Sequence, residues 1–263
     1  MAETYYTCCG PPDAQALLLL HPMGARHEFW DECVGVWSKA FRVVACDLRG
    51  AGRSPIPDRP WRVDDHVRDL VAIRKELKLR ELVPVGCAIG SIIAAAYAAE
   101  DHAHIRGLVL SNTAPRLGIE SKQRTEARVA LVLERGMDAL LPDVIDLAFN
   151  TLPRDGRYSR YTDMFRQNAP HGYASLALGI VGTDVSAALS SLHCPALIVA
   201  GRHDILLPPD LSRSVHQLLA GSEFVVVDAG AHFLPYQTPD IFAGLVTDFL
   251  ARQNSRRGAS RKH

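Results

Sequence analysis

Val85-Gly86-Cys87-Ala88-Ile89-Gly90-Ser91 decides the fold of this chain. It follows an apolar run, Leu82-Val-Pro-Val85, that reads as a buried strand, and it opens a helical pattern over Ile92 to Ala99. A sharp strand-to-helix turn brings two backbones close together, so the residues two before and two after its apex must be small. Gly86 and Gly90 meet that demand around position 88. Frames centred on Cys87 or Ser91 fail, because they would put Val85 and Ile89, or Ile89 and Ile93, at the tight positions. The pattern is that of a nucleophile elbow, and its apex, Ala88, has no lone pair to attack with.

Outward from the elbow, short apolar runs alternate with helical patterns. Ala16 to Leu20, Phe41 to Cys46, Ile105 to Leu110, Ala196 to Ala200 and Glu223 to Val227 read as strands covered on both faces. The proline in Leu82-Val-Pro-Val85 is unusual inside a strand. Val63 to Leu77, Pro209 to Leu219 and Pro239 to Gln253 read as helices. The alternation predicts an α/β fold: a doubly wound, mostly parallel sheet with right-handed crossovers and helices on both faces. Between Pro115 and about Leu192 the alternation stops. Helical periodicity over Gln123–Arg135, Met137–Phe149, Arg160–Gln167 and Ala174–Ile180 predicts an inserted helical cap. The expected organisation is a core of residues 1–114 and 193–254, a cap of residues 115–192, and a basic, frayed tail of residues 255–263. Ligands in open α/β sheets bind beyond the carboxyl ends of the strands, where such a cap would roof them.

The 263 residues carry 29 basic and 29 acidic side chains, and 48 % are apolar. At this size a core needs neither metal nor disulfide. A net charge of zero argues against nucleic-acid or polybasic membrane partners. No apolar run approaches the roughly 20 residues of a membrane span, and Met1-Ala2-Glu3-Thr4 lacks the basic start of a signal peptide. The six cysteines, at 8, 9, 33, 46, 87 and 194, show no metal-ligand spacing. Buried, reduced thiols in a cytoplasmic protein are expected.

Two later strands end in loops that carry titratable groups. Ala200 runs into Gly201-Arg202-His203-Asp204, and Val227 into Asp228-Ala-Gly-Ala-His232. Either could be bland, a loop-capping carboxylate or a satisfied buried histidine. Together, in the order apex, acid, histidine, they suit a general base, His232, oriented by Asp204. An oxyanion hole needs two backbone N–H groups. Ile89 follows the apex, and Met23 lies in the loop His21-Pro22-Met23-Gly24 after the first core strand; Pro22 has no N–H to give. Asp47-Leu-Arg49-Gly50-Ala-Gly52-Arg-Ser54 reads as architectural, with Arg49 in an ion pair. It lacks the lysine of a phosphate-binding loop and the glycine spacing of a dinucleotide site.

In this order these motifs resemble the α/β-hydrolase superfamily, over about Ala16 to Leu250. Leu110-Ser-Asn-Thr-Ala-Pro-Arg-Leu-Gly118, leading into Glu134-Arg-Gly-Met-Asp-Ala-Leu140, looks like the 3-oxoadipate enol-lactonases. The resemblance implies the α/β-hydrolase fold, here with a shortened N-terminal hairpin that leaves one edge strand at Tyr5 to Cys8. It implies a serine-type hydrolase opening a lactone or enol-lactone in the catabolism of small aromatic compounds, with no metal or organic cofactor. Hydrolysis of a C–C bond or an amide is the alternative on the same fold. A carboxylate-bearing small-molecule substrate would need a cation, for which Arg26, Arg116 and His203 are candidates. Ala88 departs from the family's serine. With the rest of the set intact, the first expectation is an inactive Ser→Ala variant that still binds substrate. A non-catalytic ligand receptor and a nucleophile-free His–Asp enzyme are the others.

Overall fold

The computed structural model describes residues 3–260. Seven strands form one sheet: β1 (Tyr6–Cys9), β2 (Ala16–Leu20), β3 (Arg42–Cys46), β4 (Leu82–Cys87), β5 (Leu108–Ser111), β6 (Ala196–Gly201) and β7 (Glu223–Val227). Their spatial order is β1-β3-β2-β4-β5-β6-β7. All neighbours run parallel except β1, which pairs antiparallel with β3. A single edge strand thus precedes β2, one residue beyond the expected span.

The apolar runs explain why these strands lie inside. Every residue of β2 is buried. Leu17 and Leu19 face one core with Val43, Val83 and Val85, while Leu18 and Leu20 face a second with Val44 and Leu82. Alternate side chains leave opposite faces of a strand, so one continuous apolar run feeds two cores, and each buried leucine contributes about 1.5–3 kcal/mol. Pro84 causes no conflict. The ladder to β5 lapses between the isolated Leu82–Ile105 bridge and the Val85–Val109 pair, and Pro84 lies in that gap.

Helices α1 (Asp31–Trp37), α2 (Val63–Glu76) and α3 (Ile89–Glu100) belong to the first half of the chain. Then come α4 (Ile119–Arg135), α5 (Asp143–Phe149), α6 (Gly156–Arg166), α7 (Pro170–Ile180) and α8 (Ser186–Ser191), all between β5 and β6. Helices α9 (Pro209–Leu218), α10 (Leu234–Gln237) and α11 (Pro239–Ser260) complete the fold. α1 and α11 pack together on one face; α2, α3, α8 and α9 lie on the other.

Three readings need correction. The single helix expected over Met137–Phe149 is a short 3-10 turn, Met137–Leu140, followed by α5. Pro142 cannot donate the backbone hydrogen bond of a helix interior and instead precedes the new helix. The strand expected from Ile105 starts only at Leu108, because Ile105 makes an isolated bridge. The tail expected to fray from residue 255 continues α11 through Ser260, and the Ser255 hydroxyl donates to the Ala251 carbonyl. Residues 261–263 lie outside the described residues.

From β2 the chain moves outward to β3, then crosses back so that β4 lies on the other side of β2. The carboxyl ends of β2 and β4 therefore flank a topological switch point, where open α/β sheets leave a crevice for ligands. Met23 follows one strand and Ala88 the other.

Candidate active site

Ala88 sits at φ 51°, ψ −115°, a conformation L-residues rarely adopt, between β4 and α3. Its N–H donates to the Ser111 carbonyl at 3.0 Å. The flanking glycines are required by contact. A Cβ on Gly86 would lie 2.3 Å from the Gly90 oxygen, and one on Gly90 would lie 2.2 Å from the Leu20 oxygen. Strand β4, helix α3 and strand β2 thus meet with no room for a methyl group, and the strain at position 88 is held by that packing.

Asp204 and His232 come together from the ends of β6 and β7. The His232 Nδ1 lies 2.9 Å from Asp204 Oδ2. A carboxylate only accepts, so Nδ1 carries the proton and Nε2 presents its lone pair. Asp204 Oδ2 also takes the Asn112 side-chain amide at 2.8 Å, and Oδ1 takes the Leu206 and Leu207 N–H groups at 2.9 Å each. Burial pushes the Asp204 carboxyl upward. The His232 charge, its hydrogen bond, the Leu207 amide and the Asn112 amide outweigh burial and hold it below its usual value. The His232 N–H is itself fixed to the Ala148 carbonyl of α5 at 3.1 Å.

His232 opens onto a pocket that Ala88, Met23 and Ile89 also line, with α4, α5, α6 and α7 contributing its roof. Among the described residues, neither the Met23 nor the Ile89 N–H donates to a protein acceptor. The roof is tied to the catalytic-end loops. Tyr161 of α6 stacks on Phe233 with ring centroids 4.2 Å apart, and its hydroxyl donates to the Met23 carbonyl at 3.5 Å. Asn150, just after α5, donates to the His203 carbonyl at 2.9 Å.

The three candidate cations do not line this pocket. Arg26 is neutralised by Glu28, two residues along, at 2.8 Å. Arg116 is exposed, its backbone bridged to Asp184. His203 contributes backbone contacts to Gly230 and Asn150. The pocket-lining cations are instead Arg124 and Arg128 of α4. They were missed because a helical period does not tell which face roofs a cavity. Asn112 was missed too, although a polar Ser-Asn-Thr placed directly after a buried strand was a signal for it.

The Asp47 loop is architectural. Arg49 makes a two-pronged pair with Asp69 at 2.8 and 3.1 Å and lies over the Trp61 ring at 4.2 Å. His27, Glu28 and Asp47 form the one group of at least three metal-ligating side chains among the described residues. The Asp47 carboxylate there already accepts the His27 N–H, the His27 ring Nδ1–H and the Arg53 N–H, at 2.7–2.8 Å. Cys33, Cys46 and Cys87 are buried, and burial pushes their thiols upward, away from nucleophilic character. Among the described residues, no helix is long and apolar enough to cross a membrane.

Residues 15–239 match the alpha/beta hydrolase fold family. The chain is an α/β-hydrolase. An enol-lactonase from Burkholderia xenovorans LB400 superposes with a TM-score of 0.89 at 28 % identity, over 94 % of this chain and 96 % of that one. RutD of Variovorax paradoxus, provisionally named a carbamate hydrolase, is 28 % identical over 94 % of this chain and 96 % of its own length. 3-Oxoadipate enol-lactonase 2 of Acinetobacter baylyi is 23 % identical over 95 % and 93 %. In this α/β-hydrolase a histidine backed by a buried carboxylate and the residues of two unengaged amides, Met23 and Ile89, line one pocket with an elbow apex that is a methyl group.

Proposed function

We propose that this α/β-hydrolase acts on a small carboxylic ester, a lactone or enol-lactone, and that serine at position 88 completes its working form. The alanine chain then binds substrate without the covalent step. The observation that carries this reading is the Asp204-bound His232 facing the same pocket as the elbow apex. In the serine form, the serine hydroxyl gives its proton to His232 Nε2 while its oxygen bonds the acyl carbon. The Met23 and Ile89 amides hold the oxyanion. The ring C–O bond then breaks, and the leaving oxygen takes the proton from His232. Water next gives a proton to His232, attacks the acyl carbon and frees the serine with its proton restored. An enol leaves readily, and in a lactone it stays tethered to the acyl chain. Every group in this route belongs to the chain or to water.

A second reading, hydrolysis of a C–N bond in a carbamate or amide, draws on the name of the Variovorax relative. The same base and amides serve it, and the cap pocket chooses between the two.

The test is Ala88→Ser, assayed beside the parent chain in a pH-stat against neutral lactones, an enol-lactone acid, linear esters and a carbamate. Removing a triad nucleophile costs about 10⁴- to 10⁶-fold, so lactone opening is expected from the serine form alone. Carbamate cleavage without lactone opening would move the assignment to the second reading. Ligand binding with no turnover by either form would make the pocket a receptor.

A further inference from the structure

Each backbone N–H and carbonyl of Ala231 and His232 has a partner, and the ties lead partly into the cap. The Ala231 N–H donates to Gln237 Oε1 at 2.9 Å, and the Ala231 carbonyl accepts the Asn112 amide at 2.9 Å. The His232 carbonyl accepts the Cys87 thiol at 3.7 Å. The His232 N–H donates to the Ala148 carbonyl at 3.1 Å, and Gln237 Nε2 donates to that same oxygen at 3.1 Å. Ala148 is the last residue but one of α5. A helix has run out of its own N–H donors there, so both lone pairs of this carbonyl are open to the His232 segment.

Gln237 closes this ring of hydrogen bonds. It is half-buried on α10 and does not line the pocket. An N–H only donates and a carbonyl only accepts, so the orientation of its amide is dictated: oxygen toward Ala231, nitrogen toward Ala148. The end of α5 reaches the neighbouring loop as well. Asn150, at φ 49°, gives its side-chain amide to the His203 carbonyl at 2.9 Å, one residue before Asp204. One end of a cap helix thus holds the loops of both the acid and the histidine.

We propose that Gln237 is a positioning residue that ties the turn carrying His232 to the carboxyl end of α5, so that the base is aligned with Asp204 and the elbow only while this cap helix is seated. The catalytic consequence rests on the hydrolase reading of the pocket; the tie itself does not. Because Gln237 lies outside the pocket lining, its effect falls on the alignment of His232 and not on substrate binding. Misplacing a catalytic group by about 1 Å costs up to 10²-fold in rate, so a single amide that sets the register of the base matters to turnover.

Backbone hydrogen exchange, followed by NMR in the alanine chain, reads the tie directly, with the buried Leu18 amide of β2 reporting global opening. Gln237→Glu keeps an oxygen for the Ala231 N–H but, ionised, has no donor for Ala148 and sets a negative charge against its carbonyl. The His232 amide should then exchange roughly 5- to 10-fold faster relative to Leu18, while the Ala231 amide stays within about 2-fold of the parent. Gln237→Met is similar in length, lacks both groups, and should free both amides. In the serine form both variants should lower kcat by roughly 10- to 100-fold, with KM within about 2-fold of the parent. Exchange at His232 that follows Leu18 in both variants overturns the proposal, and so does an unchanged kcat in an active serine form. The exchange pattern needs no turnover. Where the serine form hydrolyses nothing, the hydrolase reading fails on its own, and the amides still uphold or overturn the tie.

Discussion

The Asn112 side-chain amide and the His232 imidazole bind the same oxygen of Asp204, at 2.8 and 2.9 Å. Asn112 is fully buried, and its amide also donates to the Ala231 carbonyl next to His232. It therefore positions both members of the pair. In the serine form, Asn112→Ala removes a charge-assisted bond worth about 1.5–3 kcal/mol. A kcat loss of roughly 10- to 100-fold follows if that loss falls on the transition state. Asp204 is held below its usual value, so the carboxylate that orients His232 exists above that pKa and is lost as pH falls through it. Without the Asn112 amide the carboxyl rises, and the acid limb of the kcat/KM profile should move to higher pH. An unchanged profile in a merely less stable protein would assign Asn112 a packing role only.

The elbow glycines predict a stability contrast. Gly90→Ala drives a methyl group to 2.2 Å from the Leu20 oxygen, whereas Gly244 on α11 has nothing within 4 Å. Overpacking costs about 1–3 kcal/mol, while an exposed helical glycine gains roughly 0.5–1 kcal/mol on becoming alanine. Urea unfolding should show the midpoint falling for Gly90→Ala and rising for Gly244→Ala at constant slope. Equal midpoints would mean that α3 can shift away from β2.

These two cases mark what the sequence discloses. Gly86 meets Gly90 within one strand-turn-helix unit, so that contact is legible in a window of seven residues, whereas Gly90 also meets Leu20 of β2, which the window does not contain. Asp204 and His232 are legible because each closes an apolar run, and parallel strands deliver such loops to one edge of the sheet. Arg26 and Arg116 mislead for the converse reason. Chain position puts them near the crevice, but Glu28 and the Asp184 bridge decide where they go. Arg124, Arg128 and Tyr173 reach one pocket only through the packing of α4 and α7, which no local pattern encodes.

His66 predicts a pH dependence of stability. Burial lowers its pKa to about 4, against the nearby Asp69 and Asp65 charges, and its Nε2 has no partner. The unfolded chain takes up this proton near 6.5. Stability is therefore complete above about pH 6.5, falls as pH drops toward 4, and is flat below. The loss is on the order of 3 kcal/mol. His66→Phe keeps an edge-on ring against Trp61 and removes the titration. The difference in unfolding free energy between parent and variant should therefore slope only between these values. A constant difference from pH 7 to pH 4 would show that His66 is not held neutral by the fold.

Asp204→Asn in the serine form tests whether the carboxylate, rather than the mere presence of a polar group, orients His232. Asparagine matches the size of aspartate and can keep the Leu206 and Leu207 N–H bonds through its oxygen. The NH₂ group would then face His232 Nδ1. It can only donate, so Nδ1 must become the acceptor and Nε2 the protonated nitrogen. A protonated Nε2 cannot accept the serine proton. Loss of the acid in a triad by this route costs about 10⁴-fold in kcat, with KM little changed because the pocket lining is untouched. The substitution also removes the negative charge that stabilises the imidazolium, so the loss should persist across neutral pH and ease only where hydroxide deprotonates the serine directly. A kcat within 10-fold of the serine form at neutral pH would mean that His232 does not depend on Asp204, and the base would have to be sought elsewhere in the pocket.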